Sequence, residues 1–461
     1  MDAGSRKKFL SKKKENTRKT IPMRKCPVRF FNILFFLFGF FFLVSCSVQK
    51  QISKKAHRSM LNNPDLASAH IGISIFDPVA KKYLYNYQGD KNFIPASNTK
   101  LFTLYAGMKH LGDSLIAARY KVEDGTLMLQ AAGDPTFLHP DFKNQPLLTF
   151  LQQKEINEIS LITPFASESF GRGWAWDDFQ DEYMAERDPF PMYGNLATVI
   201  FNGDSLQTIP KVLRAFIIGM PVKGRPWEID RELGGHIYTI DTATGNVGTE
   251  KKITMATGKG LFASRYLADT LHKEVIRDYN SFSNSEGIPI YSQPKDSLFK
   301  IMIHRSDNFY AEQTLLMVSN ERLGEMNDIR IIDTLLATDF KNLPQRPRWI
   351  DGSGLSRYNL FSPKDFVWIL NKLKEEYGLE RLKVILPGAN EGTLKGLFNG
   401  YENHIYAKTG SFSNNAALSG YLITKKNKIL IFSVLVNNHT TAAAIVRKQI
   451  EMFLEEIIDK Y

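Results

Sequence analysis

The sequence predicts an α/β (α+β) protein, an antiparallel sheet with helices, built from both ends of the chain and interrupted by a β-rich module. Three observations predict it. Near the start of the folded body, Ile71, Ile73 and Ile75 alternate with small residues, an Asp77-Pro78 turn follows, and Tyr83, Tyr85 and Tyr87 alternate again, which is a strand hairpin. Near the other end, apolar runs over 418–424 and 429–437 flank a polar turn at 425–428. Between about 150 and 285, short strand-like segments and many turns surround the aromatic patch Trp174-Ala175-Trp176. Strands at both ends with helices between imply that the two ends meet in one domain. The expected division is therefore 1–46 as an export signal, 47–150 and 286–461 as two parts of one domain, and 151–285 as an inserted β-rich module.

The remaining elements follow from local signals. Pro95-Ala96-Ser97-Asn98-Thr99-Lys100 reads as a helix entry, with the helix ending near Gly112. A strand is expected toward Leu127 and Leu129, then a turn at Gly133-Asp134-Pro135-Thr136. A helical period returns over 296–318, with Leu298, Ile301 and Met302 and later Leu315 and Leu316. Ser362-Pro363-Lys364-Asp365 is a helix start, with proline at the first position and an acid three after the cap. Phe366, Ile369, Leu370 and Leu373 make its apolar face, and Val446, Ile450, Phe453, Leu454, Ile457 and Ile458 make that of a final helix.

The net charge of +11 invites a nucleic-acid partner, but its distribution argues against one. Residues 1–29 hold eleven Lys/Arg against two acidic residues, so the rest of the chain is close to neutral. That basic leader runs into an uncharged, Phe-rich apolar segment ending Leu43-Val44-Ser45-Cys46. A basic segment followed by a short apolar run is a secretory signal. Its end resembles a bacterial lipoprotein cleavage box, with Cys46 as the lipidated residue; the alternative is an uncleaved membrane anchor, and under either a start at Met23 would give the leader a more usual length. Both predict an exported, periplasmic chain held at a membrane. The only cysteines, Cys26 and Cys46, lie in this leader, so the body is expected to contain no disulfide. The nine histidines form no His-Glu-x-x-His and no Cys/His cluster, so neither metal nor organic cofactor is expected.

Ser97 and Lys100 are three apart, on one face of the expected helix, where hydroxyl and amine can meet. Unpaired amides at a helix start favour developing negative charge, so a serine there is a candidate nucleophile. The spacing alone specifies nothing, since it recurs at Ser5, Ser11, Ser47, Ser292 and Ser297. What singles out Ser97 is its company: Ser306-Asp307-Asn308 before a helix containing Tyr310 to Val318, then Lys408-Thr409-Gly410-Ser411, which occurs once. This ordered trio resembles the motifs of serine β-lactamases and penicillin-binding proteins. It implies Lys100 as the base that deprotonates Ser97, its pKa depressed through burial or by a second cation, for which Lys408 is the candidate. Ser306 would relay the proton to the leaving amine, and Asn308 would hold a peptide amide. Lys408 and Thr409 would receive a terminal carboxylate, and Gly410 would clear space for substrate backbone. The amides of Ser97 and Ser411 would form an oxyanion hole.

Further stretches resemble the class C, low-molecular-mass penicillin-binding proteins, the D-alanyl-D-alanine carboxypeptidase/endopeptidase family with inserted domains. They are Gly133-Asp134-Pro135-Thr136, Gly173-Trp174-Ala175-Trp176-Asp177-Asp178 and Asp351-Gly352-Ser353-Gly354-Leu355-Ser356-Arg357, and the long gap between Ser97 and Ser306 is similar too. The resemblance implies a transpeptidase-like fold and hydrolysis of D-alanyl bonds in peptidoglycan stem peptides. It also implies acylation by β-lactams, and contacts from Asp178 and Arg357 to the end of a diamino-acid side chain. From the residues alone, Asp178 reads equally as a turn carboxylate and Arg357 as an ion-pair partner. Three rivals stand beside this reading. A β-lactamase needs a group that activates water for deacylation, and no counterpart of the class A glutamate loop is visible. A GDSL esterase would use Ser114 or Ser205, but neither His404 nor His439 has an aspartate three before it, and Asp269 with His272 lies mid-chain. A non-catalytic wall-binding lipoprotein would be expected to have lost one of the motif residues, and all are present.

Overall fold

The computed structural model describes residues 49–461, of which 51–461 form one unit; the leader and Cys46 lie outside the described residues. The first hairpin is β1 (His70–Asp77) and β2 (Lys82–Tyr87), with Asp77 Oδ1 accepting from the turn amides of Val79 and Ala80. A 3-10 turn, Ala96–Thr99, leads into α1 (Lys100–His110), whose residues from Lys100 to Met108 are all buried. A helix apolar nearly all round belongs inside the molecule. Next come β3 (Ser114–Glu123), β4 (Thr126–Ala131), α2 (Pro146–Leu151) and β5 (Glu158–Ile162). A run of short strands follows: β6 (Leu196–Phe201), β7 (Leu206–Ile209), β8 (Ile217–Ile218), β9 (Trp227–Arg231), β10 (Tyr238–Asn246) and β11 (Glu250–Thr254). Then come α3 (Ala263–Leu271), β12 (Glu274–Asp278) and β13 (Ile288–Pro294). The chain returns to helices with α4 (Lys295–His304), α5 (Asn308–Leu323), α6 (Asp328–Ala337), α7 (Pro363–Tyr377) and α8 (Leu379–Ile385). It closes with β14 (Ile405–Phe412), β15 (Asn415–Ile423), β16 (Ile429–Asn437) and α9 (Ala443–Lys460).

The two ends of the chain meet in a five-stranded antiparallel sheet of order β14-β15-β16-β1-β2, in which Ile73 lies opposite Val434. α7 packs against this sheet and starts with a capping box, the Ser362 amide donating to Asp365 and the Asp365 amide to the Ser362 hydroxyl. Its Phe366, Ile369 and Leu370 join Phe102 of α1 and Phe299 of α4 in one apolar core, with the Phe102 and Phe361 rings 4.7 Å apart.

A second five-stranded sheet has the order β12-β5-β4-β3-β13, with its β4–β5 and β5–β12 pairs parallel. Two three-stranded sheets, β11-β6-β7 and β8-β10-β9, contribute to the same core as this sheet. Ala118, Leu127 and Leu129 share a separate core with Ile159, Leu161 and Ile290. The boundaries expected at 150/151 and 285/286 therefore cut through one sheet. By pairing and by core, the change from one region to the other falls just after α1 and just before α4. Alternation marks 127–129 as a strand but does not say which sheet completes it. Within the helical stretch expected over 296–318, α4 and α5 are separated at residues 305–307, just ahead of the helix expected after Ser306-Asp307-Asn308, and Ser306 has φ = 61°.

Candidate active site

Ser97 lies in the 3-10 turn that opens α1, and two other segments clamp that turn. A Cβ on Gly410 of β14 would lie 2.5 Å from the Pro95 carbonyl oxygen and 3.1 Å from the Ser97 amide nitrogen. A Cβ on Gly354, whose φ is +82°, would lie 2.0 Å from the carbonyl oxygen of Ala96. Both positions need glycine because backbone meets backbone there. Gly410 thus makes room for the protein's own turn. Ala96 has φ = 47°, so left-handed backbone immediately precedes Ser97, and Ser306 repeats the feature. Conformations of this kind cost about 1–3 kcal/mol each and persist where the surroundings impose them. Beneath the turn, Asn98 Nδ2 donates to Ser419 Oγ at 2.8 Å, which donates to Ser433 Oγ, tying the turn to β15 and β16.

Lys100 is fully buried. Its Nζ donates to Ser97 Oγ at 2.9 Å, to Asn308 Oδ1 at 2.7 Å and to the Ser353 carbonyl at 2.7 Å. Burial pulls its pKa down to about 8, against the opposing fields of Asp307, Asp351 and Glu312. Of the two expected causes, burial accounts for the shift. Lys408 is itself fully buried, and burial together with the nearby Lys100 pushes it well below the ordinary lysine range. Two ammonium groups in one dry site are disfavoured together. Lys408 Nζ donates to Ser306 Oγ at 2.8 Å and to the Thr409 carbonyl at 2.7 Å. Hydrogen bonds thus tie Ser97 and Asn308 to Lys100, and Ser306 to Lys408.

Asp307 caps α5, accepting from the Tyr310 amide at 2.9 Å, which fixes where Asn308 begins its helix. Asn308 Nδ2 donates to the Tyr183 carbonyl at 3.0 Å. Glu312, one turn on, is buried; it accepts from the Ser353 amide at 2.7 Å and pairs with Arg187, and burial raises its pKa to about 7. The Lys100–Ser353–Glu312–Arg187 chain therefore links the amine to the segment between β5 and β6. Asp351, fully buried, holds its own loop through the Gly354 and Ser356 amides and receives Trp174 Nε1 at 2.9 Å.

Above this floor opens a cleft of about 550 Å³, lined by Ser97, Ser306, Asn308 and Ser411 together with Asp178 and Arg357. The half-buried Asp178 and the exposed Arg357 stand on opposite segments, and the Arg357 guanidinium sits 4.6 Å from the centre of the Phe412 ring. Thr409 is half-buried and borders, with Gly410 and Ser411, a void of about 20 Å³ toward Arg447 rather than the cleft itself. Ser411 Oγ accepts from Arg447 Nη2 at 3.0 Å. The backbone carbonyls of Ser353 and Tyr183, and the buried acids Glu312 and Asp351, are parts of the site that motif reasoning missed. The Asp351–Arg357 stretch was a signal for two of them. Among the described residues, no group of three or more His, Cys, Asp or Glu side chains is arranged to hold a metal ion. Ser114 and Ser205, the serines of the two GDSL stretches, lie on β3 and just before β7, away from this floor.

A family model described as the D-Ala-D-Ala carboxypeptidase 3 (S13) family matches residues 53–202 and 256–457. A D-alanyl-D-alanine carboxypeptidase of an Actinomadura species is 23% identical over 458 residues, covering 84% of this chain and 81% of that protein. The crystal structure of penicillin binding protein 4 (dacB) from Haemophilus influenzae superposes with a TM-score of 0.68 at 17% identity, covering 88% of this chain and 99% of that one. A structure of the same protein complexed with a β-lactam gives a TM-score of 0.65 at 17% identity, covering 89% and 99%.

Proposed function

Because the chain belongs to the D-Ala-D-Ala carboxypeptidase 3 (S13) family, we propose that it is a serine D-alanyl-D-alanine carboxypeptidase and/or endopeptidase of peptidoglycan stem peptides. It works through an acyl-enzyme at Ser97 and is acylated by β-lactams. The observation that carries this reading is the contact of a fully buried Lys100 amine with Ser97 Oγ at 2.9 Å.

The substrate lies extended along the free edge of β14, as an added strand. Its terminal carboxylate goes to Lys408 Nζ, beside Ser306 Oγ. A carboxylate there favours ammonium on Lys408, and that charge in turn disfavours a second one on Lys100. Substrate binding thereby helps to free the Lys100 amine as the base. The amine takes the Ser97 proton as Oγ attacks the carbonyl carbon, and the amides of Ser97 and Ser411 stabilise the oxyanion. The C–N bond breaks, Ser306 passes the proton to the leaving amine, and water then attacks the ester and regenerates Ser97. Asn308 orients the peptide amide, while Asp178 and Arg357 meet the end of the diamino-acid side chain in the cleft. An exported, periplasmic chain anchored by lipid on Cys46 would keep this site beside its polymer; incorporation of labelled palmitate that Cys46→Ala abolishes would support the anchor, and its persistence would exclude it.

The test is digestion of purified cross-linked and uncross-linked muropeptides, read by mass spectrometry, with Ser97→Ala as control. Loss of one alanine from pentapeptide monomers, or conversion of dimers to monomers, supports the proposal. Steady hydrolysis of benzylpenicillin with neither product would replace it with a β-lactamase.

A further inference from the structure

A second chamber of about 580 Å³ lies across the Ser306–Asn308 loop from the cleft just described, and Tyr183, Ser306 and Asn308 line both. Its far wall comes from the β11-β6-β7 sheet, through Thr198, Ile209 and Lys252. Its inner wall is electrically closed. Arg305 donates to both oxygens of Asp141, at 3.1 and 2.6 Å, and pairs with Asp307 at 3.0 Å. Its rim is not. Glu182 and Lys252 line the chamber, and among the described residues neither has an ion-pair or hydrogen-bond partner for its side chain.

The two chambers divide the substrate at the scissile bond. The first holds Ser97, Ser411, Asp178 and Arg357, so it faces the acyl half. Ser306, which hands the proton to the departing amine, is the doorway to the second. If D-alanine alone departed, a single small residue would have to be housed. A chamber as large as the acyl cleft, with one free acid and one free base at its rim, is far more than that requires. We infer that this chamber receives the departing stem peptide of a cross-linked dimer, with Lys252 facing one of its carboxylates and Glu182 facing an amine. The inference rests on the activity proposed above and specifies the leaving group. The amide C–N bond at Ser97 breaks, the acyl half stays as the ester, and the protonated amine leaves as part of a peptide rather than as free D-alanine. The β11-β6-β7 sheet then serves as a wall that admits the second strand.

The experiment compares the full chain with Lys252→Glu and Thr198→Trp, the first reversing a rim charge and the second filling the chamber. The expected result is a fall of about tenfold in kcat/KM on cross-linked dimers. Release of D-alanine from monomeric pentapeptide and acylation by benzylpenicillin should stay within about twofold of the parent. Parallel losses on dimer and monomer, or no loss on either, would overturn the inference. So would a parent protein that cleaves monomers but never dimers. A parent that cleaves neither would overturn the activity itself, and the inference with it.

Discussion

The floor of the site and the wall that faces it are built in opposite ways. On the floor, Lys100 and Lys408 are fully buried, and each makes two or three hydrogen bonds inside a frame of glycine contacts. On the walls, Arg357 of the cleft and Lys252 of the second chamber are both exposed, and Lys252 has no ion-pair or hydrogen-bond partner among the described residues. Acyl transfer needs reacting groups held to within fractions of an ångström, and burial also lowers a lysine's pKa far enough for it to act as a base. Selecting among stem peptides needs exposed charges that are free until substrate arrives. The floor thus carries the chemistry and the wall the choice of substrate.

The sharpest way to break that division is Lys100→Met. Acylation by benzylpenicillin should slow on the order of 10³-fold, as timed by stopped-flow, with the fold retained by circular dichroism. A loss under tenfold would mean that another group is the base. Next is Gly410→Ala, which should destabilise the protein by about 1–3 kcal/mol in denaturant unfolding, because the new Cβ meets the Pro95 carbonyl at 2.5 Å. Ser411→Ala, one residue along on the exposed side of β14, should stay within about 0.5 kcal/mol.

The pH profile sharpens the same comparison. Lys100 acts as a base only when neutral, and burial sets its pKa near 8. The acylation rate should therefore climb by about tenfold per pH unit well below that value and level off above it. Glu312→Gln removes an acid that holds charge on Lys100, so it should move the rising limb to lower pH. An unmoved limb would detach Glu312 from the base. The smallest effect belongs to the wall. Arg357→Ala should raise KM for stem peptides by about three- to tenfold and leave penicillin acylation nearly unchanged, as steady-state kinetics on both would report.

What the sequence discloses follows the same line between local and assembled features. The β1–β2 hairpin, the β15–β16 pair, α7 and α9 are written in alternation, caps and apolar stripes that act within a few residues. β14 carries Lys408, Thr409 and Gly410 in place of an apolar alternation, so its strand character depends on pairing with β15. α3, α6 and α8 went unanticipated because short helices among loops offer few turns of period. The two sheets could not be separated at β3 and β4, since alternation gives a face but not a partner. At the site, the three motifs are visible as residue types. The carbonyls of Ser353 and Tyr183 are not, because any residue can supply a carbonyl and only the fold says which one arrives. Glu312 is hidden for another reason: it sits in a helix buried on nearly every side, where an acid is legible only through its partners Arg187 and the Ser353 amide.

The account rests on one covalent bond, and intact-protein mass spectrometry after incubation with benzylpenicillin tests it most directly. A single adduct of the whole penicillin mass, mapped by proteolysis to the peptide containing Ser97 and absent from Ser97→Ala, is the predicted result. An adduct on another serine, or an unshifted mass in a folded protein, would contradict it.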